Sequence, residues 1–397
     1  MAISTLYPSR PHTPGSVDFY RPVHAILGLP IDAVGLHTAR ERIYIASRTG
    51  RPCFLSTPNL NFAIACLDDA DFRRSVINSD LSTADGMPLV WMARLLGIPL
   101  RERVSGASLF ESLQKSAIRL SIYFFGGPPG AASAAAAKIN ARNASIQCVG
   151  GHSPGFDSVE AMSSETIIDD INNSQADFLI VALGARKGQA WIKHNRSRLR
   201  VPVMSHLGAV VNFAAGSVRR APPWMQNAGL EWLWRIKEEP MLWSRYLHDG
   251  LVLMRLLFTR ILPGMLYQRL RTPGPSALDS AWITLTGDAN QRCIKPHGAW
   301  QTGNLLRLRS SFDKVARMQV DVDIDLSDTS HVDSAFIGLL MLMYGHQSKI
   351  GRGFTTHGAS PALSRIFKSH CADFLLTAPL SPATQAPACQ PATAIVS

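Results

Sequence analysis

The sequence predicts an α/β protein in three parts: a parallel sheet with helices on both faces over residues 22–218, a basic helical segment over 219–271, and a smaller α/β unit over 279–378. Three observations lead there. Short apolar runs rich in β-branched and aromatic residues alternate with longer helical patterns through residue 218, as in repeated strand–helix–strand units. Positive charge and tryptophan are concentrated in the next stretch. The sequence Thr272-Pro-Gly-Pro-Ser276 then sets off a second series of strand and helix patterns.

In chain order, residues 1–21 are polar and proline-rich, lack the apolar run of a signal peptide, and read as a flexible leader. Cys53–Thr57 reads as a strand, followed by a helix over Phe62–Asn78. Ser121–Phe125 is strand-like and runs into Gly126-Gly127, then an alanine-rich helix over 130–142. Phe178–Leu183 is a continuous apolar strand ending at Gly184, and Val201–Leu207 a second one ending at Gly208. Segment 219–271 reads as helical, and 272–278 as a linker. Beyond it, Trp282–Thr286 and Gln319–Leu326 read as strands, the latter alternating so strictly that one face is wet. Ala335–Lys349 reads as an amphipathic helix, and the Pro/Ala/Thr/Gln-rich stretch 379–397 as a disordered tail.

The chain has 397 residues, 46% hydrophobic and 17% charged, which supplies apolar material for real cores and excludes a disordered, collagen-like or disulfide-scaffold chain. Six scattered cysteines without a CxxC pair point to reduced thiols in the cytoplasm. The stretch Leu251–Leu270 is interrupted by Arg255, Arg260, Pro263 and Arg269, so no uninterrupted apolar run predicts a spanning helix. The net charge is +11, and residues 219–271 hold nine Lys/Arg against four acids together with four of the eight tryptophans. Such a segment is core packing, a nucleic-acid surface, or an interfacial helix whose tryptophans sit at headgroup level on anionic lipid. Glu231, Glu238 and Glu239, and the absence of any nucleic-acid motif, weigh against nucleic acid.

The chemistry-bearing residues fall at the carboxyl ends of the strands, where parallel sheets bind ligands. Asp85, before Gly86 in a loop, suits a general base, or an Asx-turn or helix N-cap. Arg103 suits a bidentate clamp on a diphosphate, or a surface ion pair with Glu102 or another acid. Gly126-Gly127-Pro-Pro-Gly130, between strand and helix, suits backbone approach to phosphate.

Together, Ser56-Thr-Pro-Asn-Leu-Asn61, Asp85-Gly86 with Glu102-Arg-Val-Ser-Gly106, Gly126-Gly127, and the run Gly208…Phe213…Gly216…Arg219-Arg220-Ala-Pro…Trp224-Met-Gln…Gly229-Leu-Glu231-Trp232…Arg235 closely resemble the WecG/TagA/CpsF glycosyltransferases, family 26 of the sugar-nucleotide transferases. The resemblance covers roughly residues 22–247. It implies a Rossmann-like, inverting, metal- and cofactor-independent hexosyltransferase. Such an enzyme moves a sugar from a UDP-sugar to a polyprenyl-diphosphate-linked sugar at the cytoplasmic face of a bacterial membrane, for exopolysaccharide or cell-surface polysaccharide. It implies Asp85, Arg103, Thr57 and Asn59 as catalytic, and Asn61, Gly86, Gly126, Gly127, Gly184, Gln189 and Asn212 as substrate-binding. Arg219, Arg220, Trp224, Trp232, Arg235, Trp243 and Arg245 would close the site and touch the anionic membrane. Two departures bear on the donor. The family's Pro-x-Gln-Glu run after Gly184 reads Ala-Arg-Lys-Gly188-Gln189 here, and its Asp before Phe213 is Asn212.

Residues 280–378, with Asp333-Ser334 and Gly358…Phe367, resemble a STAS domain, the fold of anti-sigma-factor antagonists. The resemblance implies Ser334 as a phosphoacceptor at an exposed helix start, binding a protein partner; a simple helix cap is the alternative. Phe336 stands where that family usually has a small Gly. The alternative for the whole chain is a catalytically weak, membrane-bound STAS scaffold.

Overall fold

The computed structural model describes residues 17–142, 145–216, 218, 220–377 and 379–381. The chain enters through core, not leader: Phe19 and Arg21 are buried, and the Arg21 guanidinium grips the buried Asp32 through Nε–Oδ1 at 2.8 Å and Nη2–Oδ2 at 2.7 Å. A buried charge is tolerated when it is paired in this way. The rest of the expected leader, 1–16, lies outside the described residues. Strands β1 (Val23–Ile26) and β2 (Leu29–Asp32) follow as an antiparallel hairpin.

Helix α1 (Leu36–Thr49) leads into β3 (Cys53–Ser56), α2 (Leu60–Asp68), α3 (Ala70–Ile77), β4 (Leu81–Ser82), α4 (Met87–Leu95) and α5 (Gly106–Gln114). The single helix expected over Phe62–Asn78 is broken in two. Asp69 takes extended backbone and its carboxylate accepts the Phe72 N–H, so it caps a new helix. Next come β5 (Leu120–Gly126), α6 (Ala131–Ala141), β6 (Ile146–His152), α7 (Glu165–Asn173), β7 (Phe178–Ala182), α8 (Ala185–Asn195), β8 (Val203–His206) and α9 (Gly208–Ala215). Strands β3–β8 form one parallel sheet in the order β4-β3-β8-β7-β5-β6. β7 is buried on both faces, which is why its sequence is an unbroken apolar run.

The basic segment is helical, as expected: α10 (Pro223–Asn227), α11 (Glu231–Glu238), α12 (Trp243–Leu256) and α13 (Leu262–Leu270). α12 and α13 belong to one continuous helix, Pro240–Leu270, carried through a π-helical turn at Leu257–Ile261.

Helix α14 (Pro275–Asp279) occupies most of the expected linker. The last part is β9 (Trp282–Gly287), β10 (Gln291–Trp300), α15 (Leu306–Met318), β11 (Asp321–Asp325), β12 (Thr329–Val332), α16 (Ser334–Ile350), β13 (Phe354–His357), α17 (Pro361–Ser369) and α18 (Phe374–Thr377). Its sheet runs β12-β10-β11-β13, parallel, with β9 antiparallel to β10. β11 alternates as expected: Val322 and Ile324 are buried and its aspartates half-exposed.

This part is not a module moving on a tether. Helix α16 is buried continuously from Ser334 to Gln347, where the sequence predicts an amphipathic helix. It packs between its own sheet and the β1–β2 hairpin, so neither face meets water. The approach is close enough that a Cβ at Gly338 would lie 3.1 Å from the His24 backbone. One hydrophobic core joins Phe19, Val23, Ala25 and Ile77 to Phe336, Leu340 and Met343. Arg309 of α15 donates to the Arg21 carbonyl at 2.9 Å, and Arg260 pairs with Asp373 at 3.1 Å. Ser334 is only 7% exposed, and its hydroxyl lies 3.0 Å from His24 Nδ1. The expected exposed phosphoacceptor is thus an interior hydrogen-bonding group, while Asp333 performs the helix cap. At the far end Leu380 exchanges two backbone hydrogen bonds with Phe354, so the expected tail begins as ordered chain. Residues 382–397 lie outside the described residues.

Candidate active site

The loops after β3 and β4 are stitched together by backbone hydrogen bonds: Thr83 N–H to Ser56 O, Asp85 N–H to Pro58 O, and Val104 N–H to Ala84 O. This brings Thr57, Asp85 and the Arg103–Gly106 segment to one spot at the carboxyl edge of the sheet. Asp85 is half-buried, and its Oδ2 accepts weakly from the Gly106 N–H at 3.4 Å. Burial pushes its carboxyl up to about 6, with Arg103 pulling it down and Glu231 pushing it up. A carboxylate so placed is basic enough to take a hydroxyl proton near neutral pH.

Arg103 is ion-paired with Glu231 of α11, both side chains mostly buried. Its neighbour Glu102 is not its partner. Glu102 Oε1 instead accepts the Leu36 N–H at 2.6 Å, satisfying the N-terminus of α1. Arg235, one turn beyond Glu231, lies with its guanidinium carbon 5.7 Å from the Phe213 ring centre. The basic segment is therefore a wall of the site.

The other anticipated residues divide. Thr57 is buried beside Gly106, and Gly86 lies against Asn59. Asn59 caps α2 by accepting the Phe62 N–H at 3.1 Å. Asn61 donates to both oxygens of the buried Asp249 on α12, at 3.3 and 3.1 Å, and so ties the core to the basic segment. The Gly127 N–H donates to Ala182 O at 2.8 Å, so that amide serves the β5–β7 junction and not a phosphate. Gly184 starts α8, and Asn212 is half-buried on α9. Gln189 is 0% exposed, and its Nε2 donates to Ser56 Oγ at 2.9 Å beneath the site. It pins α8 to β3 and does not reach a ligand. Arg220 bonds Glu111 at 2.5 Å and Gln226 at 2.9 Å, fastening the segment to α5. Arg219 lies outside the described residues.

Sequence reasoning missed His206 and Glu231. His206 ends β8 with its Nε2 buried and without a hydrogen-bond partner, and burial pushes the imidazole down to about 4. A Cβ at position 188 would come within 2.4 Å of its ring, so Gly188 is required by this histidine. The strand-end position was legible; the contact with residue 188 was not.

Outside the site, the helix Pro240–Leu270 turns Leu256 and Ile261 into the core and leaves Trp243, Leu247, Leu251, Met254 and Phe258 exposed, the last at 62%. Their spacing of three and four places them in one stripe. Trp224 and Trp232 are exposed nearby in sequence, while Arg245 lies 5.3 Å from the Tyr246 ring centre. By length and composition this helix could cross a membrane, contrary to the reading of its interrupted sequence. Its packed face, anchored by Asn61–Asp249 and Arg260–Asp373, holds it along the protein instead.

Residues 24–265 match the family described as glycosyl transferase WecG/TagA/CpsF. Among curated proteins, the chain is similar to the N-acetylglucosaminyldiphosphoundecaprenol N-acetyl-beta-D-mannosaminyltransferase of Bacillus subtilis strain 168, 28% identical over 209 residues, covering 52% of this chain and 79% of that protein. It is likewise similar to the enzyme of that name from Staphylococcus aureus strain NCTC 8325, 23% identical over 214 residues, 53% of this chain and 82% of that protein. With its parallel sheet, strand-end carboxylate and matched span, the chain belongs to the WecG/TagA/CpsF glycosyltransferase family and is a hexosyltransferase.

Proposed function

We propose that this chain transfers a sugar from a UDP-sugar to a polyprenyl-diphosphate-linked sugar, with inversion, in the assembly of a bacterial exopolysaccharide or cell-surface polysaccharide. The observation that carries the reading is Asp85: a half-buried carboxylate at a strand end, its proton affinity raised to about 6, beside a guanidinium. Asp85 deprotonates the acceptor hydroxyl, that oxygen attacks the anomeric carbon, and UDP leaves as Arg103 meets its diphosphate. Thr57, beside Gly106, and Gly86 flank Asp85, and Asn212 is assigned to the donor. The named relatives support a lipid-diphosphate acceptor, since theirs is N-acetylglucosaminyldiphosphoundecaprenol.

The exposed stripe of Trp243, Leu247, Leu251, Met254 and Phe258, on a segment of net charge +5, supports peripheral attachment to the anionic inner face of the cell membrane. The C-terminal unit, STAS-like in its sequence pattern, offers its outer sheet face to a protein partner. The test is a panel of UDP-sugars incubated with full-length enzyme and a lipid-diphosphate sugar, with and without EDTA. Transfer from one donor, undiminished by chelation, is expected; no transfer from any UDP-sugar sinks the donor class, and loss restored only by Mg²⁺ or Mn²⁺ sinks the metal-free step.

A further inference from the structure

The feature left unused by that reading is the ion pair between Arg103 and Glu231. It joins residues 128 apart in the chain, and its two side chains are 12% and 22% exposed. A guanidinium beside the catalytic carboxylate is the natural seat for a diphosphate, yet an anion from the enzyme already occupies it. We propose that Glu231 is a positioning residue for the transfer: it holds Arg103 in the ligand-free enzyme as a stand-in for the donor's diphosphate and yields it when the donor binds. This rests on the UDP-sugar reading above.

The surroundings suit an exchange. Glu231 is at the first turn of α11, and Arg235 follows at i+4, the favourable order for a helical ion pair. The Arg235 Nε is buried without a hydrogen-bond partner, so the displaced carboxylate has a cation one turn along its own helix. The exchange also keeps the field at Asp85 balanced. The charged groups acting on Asp85 are Arg103 and Arg235, which favour its ionised form, and Glu231, which opposes it, with the Gly106 N–H adding a weak hydrogen bond. A diphosphate arriving on Arg103 replaces one anion with another, so the base stays basic before and after binding.

The experiment uses the full-length enzyme and Glu231→Gln, which keeps a hydrogen bond to Arg103 but removes the competing charge. Calorimetric titration with UDP should show binding tightened by about fivefold, since the anion it must displace is gone. The acid limb of kcat/KM, which reports the free enzyme, should move down by about one pH unit as Asp85 loses its anionic neighbour. Glu231→Asp keeps the charge and should return the limb to the wild-type position, which also covers a failure of the glutamine variant to fold. Glu238→Gln, exposed at the other end of α11, should change neither readout. UDP binding that is unchanged or weaker in Glu231→Gln, or an acid limb that does not move, overturns the proposal. A wild-type enzyme that neither binds UDP nor uses any UDP-sugar overturns the donor reading instead, and is told apart because it shows before any variant is made.

Discussion

At the residue scale, Asp85 links function to stability. Its folded pKa of about 6 lies above the ordinary 3.8, so the fold favours its protonated form. The strain of the ionised carboxylate is absent below the ordinary carboxyl range, grows as pH rises toward 6, and is fully present above it. Asp85→Asn should therefore stabilise the protein at pH 7.5, by up to about 3 kcal/mol, while lowering transfer by ~10²–10⁴-fold. Urea denaturation and initial rates on the same preparation read both. A variant that keeps more than about a tenth of wild-type turnover removes Asp85 as the base. In the wild type, activity should fall as pH drops through about 6, where the carboxylate takes up its proton.

The element of most consequence is the helix Pro240–Leu270. Its inward face is fixed by Leu256, Ile261 and Asp249, and its outward face exposes Trp243 at 58%, Leu251 at 63% and Phe258 at 62%. Replacing those three with serine touches no buried contact and should leave the circular dichroism spectrum unchanged. Flotation with anionic liposomes should drop several-fold, and high salt should weaken what remains. Undiminished flotation of the triple variant would falsify the stripe as the membrane face. The STAS-like pattern was readable at this scale as strand, Asp-Ser and helix. What it did not disclose was the β1–β2 hairpin lying across that helix.

At the scale of the whole molecule, the shared core around α16 makes the C-terminal unit part of the enzyme's fold. A chain ending at Leu270 would expose Phe19, Val23, Ala25 and Ile77, which now pack on α16. It should be insoluble or molten, and without transferase activity. A soluble, cooperatively unfolding product would count against the shared core. Ser334→Asp, placing a carboxylate where the hydroxyl meets His24, should cost several kcal/mol instead of acting as a silent phosphomimic. Acid probes the same junction. Burial pushes His24 and His370 down to about 4 from an ordinary 6.5. The unfolded chain then binds protons that the fold refuses, so stability is full above about 6.5 and is lost as pH falls toward 4. Urea midpoints of Asp85→Asn, which lacks the opposing carboxyl titration, should differ accordingly between pH 7.5 and pH 5, and an equal midpoint would leave these imidazoles without a thermodynamic role.

The sequence by itself determined the parallel sheet, because a strand buried on both faces must be an unbroken apolar run, as Phe178–Ala182 is. It also determined the strand-end placement of Asp85, since loops carrying ligands in such sheets follow the strands, and the family, through motifs whose order survives divergence. Tertiary structure decided what each polar residue faces. Gln189 and Asp85 are both polar and both follow strands, yet one is sealed under Ser56 and the other lies beside Arg103. Glu231 became part of the site only because α11 folds back across 128 residues to reach Arg103. The pattern of α16 reads as amphipathic, yet the helix is buried on all sides, because the hairpin brought from residues 23–32 covers its second face. Periodicity reports which side of an element is dry; it carries no record of which distant element keeps it dry.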